Sequence, residues 1–112
     1  VFERLTKANK KVIWVLQAPE VGPKLEVQMR KALNNSGNAS SVSRDWWSKR
    51  MVKVRAFAEE QKQIIQVYDP VDVFCDELEC FSVKDGVTLY RDRDHMSLSA
   101  ARKIVARIKQ LL

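Results

Sequence analysis

The chain has 112 residues, of which 46 % are apolar and 30 % charged, and its net charge is +6. That is the size of one domain with one core, and it excludes a disordered tail, a collagen-like repeat and a disulfide-packed miniprotein. No apolar run approaches the roughly 20 residues that span a bilayer, and no signal peptide opens the sequence. Export or anchoring information is therefore expected outside this stretch, and Val1 in place of Met suggests a processing boundary.

Residues 2–9 read as the end of a helix closed by Asn9 and the pair Lys10-Lys11. Val12-Ile13-Trp14-Val15-Leu16 is a β-branched, apolar run followed by Pro19, the pattern of a strand buried on both faces of a parallel sheet. Residues 19–45 hold Pro19, Gly22, Pro23 and the run Asn34 to Asn38, and read as a long excursion containing one short helix, Leu25 to Leu33. A helix is predicted from Asp45 to Gln63, with Trp47, Met51, Val54, Phe57 and Ala58 three or four residues apart. Ile64-Ile65-Gln66-Val67-Tyr68 is the second strand, ended by Asp69-Pro70. Residues 71–86 read as a loop holding both cysteines, and Val87 to Tyr90 as a short extended piece. The last helix starts at Ser97 as N-cap, with Leu98, Ala101, Ile104, Val105, Ile108, Leu111 and Leu112 on one face. Strand, helix, strand is the order of a parallel crossover, so the fold class is α/β. Two strands alone do not make a stable parallel sheet, so further strands are expected from outside the chain or from a partner. An exposed sheet edge would also invite dimerisation.

Basic residues are unevenly spread: residues 1–62 carry 13 basic and 6 acidic side chains, residues 63–112 carry 7 and 8. The Lys and Arg are scattered along predicted helices, without a dense run or a base-stacking motif. A solvated surface is expected, and no nucleic-acid partner.

Cys75 and Cys80 cannot complete a four-ligand zinc site with the single histidine, and they lack the spacing of a thioredoxin-type redox pair. A loop-closing disulfide in an oxidising compartment fits the spacing, and so do two free thiols in a reducing one. His95 follows the last extended piece and precedes the last helix, the edge where parallel α/β folds place their sites. Asp92, three residues earlier, can accept a hydrogen bond from one ring nitrogen on a tight turn and leave the other free to take a proton. Asp94 could compete, but its side chain should diverge from the ring. A helix cap or a surface ion pair fits the same spacing, whereas a metal site lacks further ligands. No cofactor is expected.

Beyond spacing, the run Val67-Tyr68-Asp69-Pro70, Phe74-Cys75, Glu79-Cys80, Gly86-Val87-Thr88-Leu89-Tyr90 and Asp92-Arg93-Asp94-His95-Met96-Ser97 resembles the closing part of an SGNH hydrolase-type domain. More narrowly, it resembles the extracytoplasmic SGNH domain fused behind the membrane-spanning acyltransferase domain of bacterial O-acyltransferases. That family's last block is Asp-x-x-His, an apolar residue and Ser, commonly preceded by a cysteine pair. Met96 stands where Leu is usual, and Ala100-Ala101 where Gly-Ala is frequent. The match covers residues 64–112 well, and residues 11–19 fit an earlier strand followed by Pro.

The resemblance implies a three-layer α/β/α, flavodoxin-like parallel sheet, of which residues 1–112 form the C-terminal portion. It implies transfer of an acyl group, expected to be acetyl, to a cell-envelope glycan by a Ser-His-Asp mechanism. His95 would serve as general base and then general acid, oriented by Asp92. A bridged Cys75–Cys80 would rigidify the loop leading to them. The family's nucleophile lies in a Gly-Asp-Ser block and its oxyanion-hole donors in two further blocks; none of these stands in this sequence. They are expected upstream of Val1, with the missing strands, and the isolated chain is expected to be inactive. The implied partners are an acyl donor, a glycan acceptor and an upstream membrane-spanning acyltransferase domain, in an extracytoplasmic setting.

Other features read more plainly. Ser40, Ser41 and Ser43 fall in a polar stretch without the strand-turn-helix elbow of a nucleophile. Trp46-Trp47, beside Arg44 and Lys49-Arg50, could form a sugar-stacking or lipid-facing patch; one ring in the core and one half-exposed is the expectation. Two other classes remain open, a free-standing SGNH esterase and a non-catalytic module binding a glycan or anionic polymer.

Overall fold

A computed structural model of the chain describes residues 1–21 and 24–112. Its elements, in order, are α1 (Phe2–Lys7), β1 (Ile13–Val15), α2 (Leu25–Leu33), β2 (Ala39–Ser43), α3 (Arg44–Arg50), α4 (Val52–Gln61), β3 (Gln66–Tyr68), α5 (Val71–Phe74), β4 (Glu79–Lys84), β5 (Val87–Thr88) and α6 (Leu98–Leu111). The α/β expectation holds. β1 and β3 pair in parallel, with Trp14 opposite Val67, and α4 lies between them in the chain as the crossover. The two apolar runs are shorter as strands than predicted, because Ile64 and Ile65 complete the turn that leaves α4. Ile13, Trp14 and Val15 are half-buried rather than covered on both faces, and Leu16 is the residue of this run that reaches the core.

A second sheet was not anticipated. β2, β4 and β5 form an antiparallel ribbon in the order β2-β4-β5. Ala39 to Ser43 therefore belong to a strand, not to a polar loop, and Glu79 to Lys84 form a strand within the stretch read as a loop. The serines of β2 are polar because that strand lies at the edge of its sheet, whereas Cys80, Phe81, Ser82 and Val83 of the central strand are all buried. Asp85 and Gly86, at φ 52° and 77°, make the two-residue turn between β4 and β5, the geometry that favours Asp-Gly in hairpins.

The predicted helix from Asp45 to Gln63 is broken at Met51, which leaves helical geometry (φ −93°, ψ 2°) as its side chain enters the core. Ser43 caps α3, its hydroxyl accepting from the Trp46 amide. Trp47 and Ala58 are buried, but Phe57 sits half-exposed, edge-on to Trp14, which in turn meets Phe2 of α1. α2 has the predicted bounds; the breakers Gly22 and Pro23 before it lie outside the described residues.

α6 begins as expected, with Ser97 accepting from the Ala100 amide. Its apolar arc is wider than the face that α5 and β5 cover. Ala100 and Ile104 are buried and Ile108 packs beside them, while Leu98, Val105 and Leu112 are exposed. The main core joins Leu16, Trp47, Phe74, Leu89, Tyr90 and Ile104. Burying each such side chain stabilises by about 1.5–3 kcal/mol.

Candidate functional site

The segment from Leu89 to Ser97 is a closed turn held at its base. Leu89 and Tyr90 are buried and fix its entry, and Tyr90 pairs with Met96 across an isolated antiparallel bridge. The Arg91 amide donates to the His95 carbonyl (2.9 Å) and the Ser97 amide to the Leu89 carbonyl (2.9 Å). Ser97 also donates its hydroxyl to the Thr88 carbonyl at 2.7 Å, so one side chain caps α6 and ties it to β5.

Within this frame Asp92 organises the turn. Its Oδ1 accepts from the backbone amides of Asp94 and His95, each at 2.8 Å. The same carboxylate meets the His95 ring, with Nδ1 2.9 Å from Oδ1 and 3.0 Å from Oδ2. The backbone amide of Asp94 and the His95 ring hold the Asp92 carboxyl below the usual carboxylate range, so it is ionised at neutral pH. A carboxylate cannot donate, so Nδ1 carries the proton of a neutral ring and Nε2 is left as its basic nitrogen. His95 is 65 % exposed as a side chain, open to a reacting partner.

The structure thus brings together the two residues singled out from spacing. Asp94 lines an adjacent cleft. Among the described residues no group of three or more His, Cys, Asp or Glu could hold a metal ion.

The cleft, of about 440 Å³, lies between this turn and residues 17–21, which leave the C-terminal end of β1. Glu20 and Val21 face Tyr90, Arg93, Asp94 and Met96 across it. The two walls are joined by the Tyr90 hydroxyl, which donates to the Pro19 carbonyl at 2.6 Å. Sequence reasoning did not anticipate this tie; its only signal was a tyrosine at the lead-in to Asp92 and a proline after the first strand.

Cys75 and Cys80 are bridged, with an S–S distance of 2.03 Å, and both are buried. Phe74, next to the bridge, packs against Tyr90 with ring centroids 5.2 Å apart. The disulfide is therefore one aromatic contact from the turn. Ser40, Ser41 and Ser43 have structural partners instead: Ser40 donates to Glu79, Ser41 to the Cys80 carbonyl, and Ser43 caps α3.

A parallel strand pair with an Asp–His turn beyond it defines a mixed α/β module. The family described as SGNH domain (fused to AT3 domains) matches residues 2–110, and the chain belongs to that family. It is thus an acyltransferase-associated module, and fusion to AT3 domains implies a membrane acyltransferase domain in the parent protein. No curated protein and no solved structure matches the chain. Among the described residues no helix is long and apolar enough to cross a membrane. Ala100 is fully buried where α6 packs on the core, a position that suits a small side chain.

Proposed function

We propose that Asp92 and His95 are the acid and base of a Ser-His-Asp site that transfers an acyl group to a hydroxyl of a cell-envelope glycan. In this reading residues 1–112 are the C-terminal portion of the domain, and the serine and its oxyanion hole come from outside them. The observation that carries the proposal is the contact of His95 Nδ1 with the Asp92 carboxylate at 2.9 Å, which leaves Nε2 for proton transfer.

The chemistry follows from that arrangement. Nε2 takes the proton of the attacking serine hydroxyl, and the ionised Asp92 stabilises the imidazolium that forms. Nε2 returns the proton to the leaving group as the acyl-serine forms. It then takes the proton of the acceptor hydroxyl, which attacks the acyl carbon, and finally returns that proton to the serine. With water as acceptor the same steps make an esterase. The buried disulfide supports an oxidising, extracytoplasmic setting.

Labelling the parent protein with a fluorophosphonate, which captures activated serines, tests the proposal. The expected adduct lies outside residues 1–112 and disappears in His95→Ala. An adduct on Ser40, Ser41 or Ser43, or labelling indifferent to His95→Ala, would overturn it.

A further inference from the structure

α3 carries two tryptophans with opposite fates. Trp47 is wholly buried, which anchors the helix, and the neighbouring Trp46 is held outward with 44 % of its surface exposed. Arg50, one turn later, places its guanidinium carbon 6.0 Å from the centre of the Trp46 ring. The same guanidinium bonds Glu20 at 2.8 Å, and Glu20 lines the cleft beside the Asp92–His95 turn. An exposed indole, an Arg–Glu pair and the cleft therefore form one continuous surface that ends beside His95.

Its chemistry is two-sided. The indole, 44 % exposed, offers apolar ring surface, and Arg50, Glu20, Arg93 and Asp94 offer donors and acceptors beside it and in the cleft. A pyranose has the matching character, with an axial C–H face and a rim of hydroxyls. The charges balance, because Arg50 is paired with Glu20, and Arg93 and Asp94 enter the cleft together. A polyanion would meet two carboxylates here, Glu20 and Asp94, with only two cations to offset them. The cleft of about 440 Å³ lies within the range of roughly 300–1,000 Å³ typical of small-molecule sites.

We infer that this surface is a subsite for neutral pyranose residues of a glycan, one sugar stacking on Trp46 and the chain running past Arg50 and Glu20 into the cleft. The assignment of that glycan as the acyl acceptor rests on the acyl-transfer reading; the binding itself does not.

The test is a titration of the isotopically labelled parent protein with neutral hexasaccharides built on glucose, mannose, galactose, xylose and N-acetylglucosamine. The indole N–H signals of Trp14, Trp46 and Trp47 are followed by nuclear magnetic resonance. The Trp46 signal is expected to move saturably with at least one sugar while that of Trp47 stays in place. Trp46→Ala, read on the amides of Glu20 and Arg93, should weaken binding about tenfold, and Trp46→Phe should restore part of it. No movement with any sugar at about 20 mM, or equal binding by Trp46→Ala, would overturn the inference. So would binding of a sulfated hexasaccharide in place of every neutral one. Failure here beside His95-dependent acyl transfer by the parent would remove the subsite alone. Sugar binding beside His95-independent transfer would remove the acyl-transfer reading alone.

Discussion

Tyr90 donates its hydroxyl to the carbonyl of Pro19 across 71 positions of sequence, at 2.6 Å and in a buried setting. Through that bond the loop after β1 and the turn bearing Asp92 and His95 share one anchor. Tyr90→Phe leaves the Pro19 carbonyl without this partner, and the expected cost is about 1–2 kcal/mol, read as a lower urea midpoint at unchanged slope. Unaltered stability would mean that the two walls of the cleft are not held by this bond.

The Cys75–Cys80 bridge closes a short loop beside Phe74 and, through its ring, Tyr90. Reduction is expected to destabilise the chain by about 2 kcal/mol, the loop-closure value for so short a ring. Thiol titration of the unfolded, unreduced protein should find no free thiol. Two free thiols would refute the bridge.

Gly37 packs against the hairpin turn, its carbonyl accepting from the Gly86 amide at 2.9 Å. At φ 81° it occupies the left-handed region, and an added Cβ would lie 2.6 Å from the Gly86 nitrogen. Gly37→Ala should therefore cost more than about 1 kcal/mol in chemical denaturation. A neutral substitution would show that the two turns separate freely.

Both tyrosines should resist ionisation in the folded chain. Burial, then the hydrogen bond to Asp72 and its charge, push the Tyr68 hydroxyl up to about 12, against the opposing effect of Arg107. Burial pushes Tyr90 up as well. An unfolded tyrosine titrates near pH 10, so the folded state holds these protons more tightly. Their contribution to stability is full below about pH 10 and is lost as pH rises through the folded values, about 12 for Tyr68 and higher for Tyr90. Tyrosinate absorbance should stay flat through pH 10 in native protein and rise there in urea. A native transition near pH 10 would contradict these environments.

Much of the fold was legible where one residue pattern served one structural purpose. The apolar run Ile13 to Val15 and the run ending at Tyr68 pair as expected, Ser97 caps α6, and Asp92 reaches His95 at the spacing that a turn demands. The antiparallel sheet was hidden because its strands do not look alike. β2 is serine-rich at an edge, while β4 mixes cysteine, aromatic and serine residues because it is covered on both faces. Asp85-Gly86 was the available signal, a hairpin dipeptide between two extended segments. The break at Met51 was not legible, since the apolar spacing continues through it and only the core decides which residues turn inward. The cleft was illegible for a related reason: Glu20 and Arg93 meet across it only because Tyr90 finds Pro19.

Acyl transfer by the parent protein, with Asp92 and His95 intact or replaced, tests proton transfer at His95 most directly. His95→Ala should lower the rate by about 10³-fold or more, with the protein still folded and assembled. Asp92→Asn, which keeps an acceptor for the turn amides but loses the carboxylate, should also cost at least about 10²-fold. Transfer at the original rate in folded His95→Ala would contradict the account.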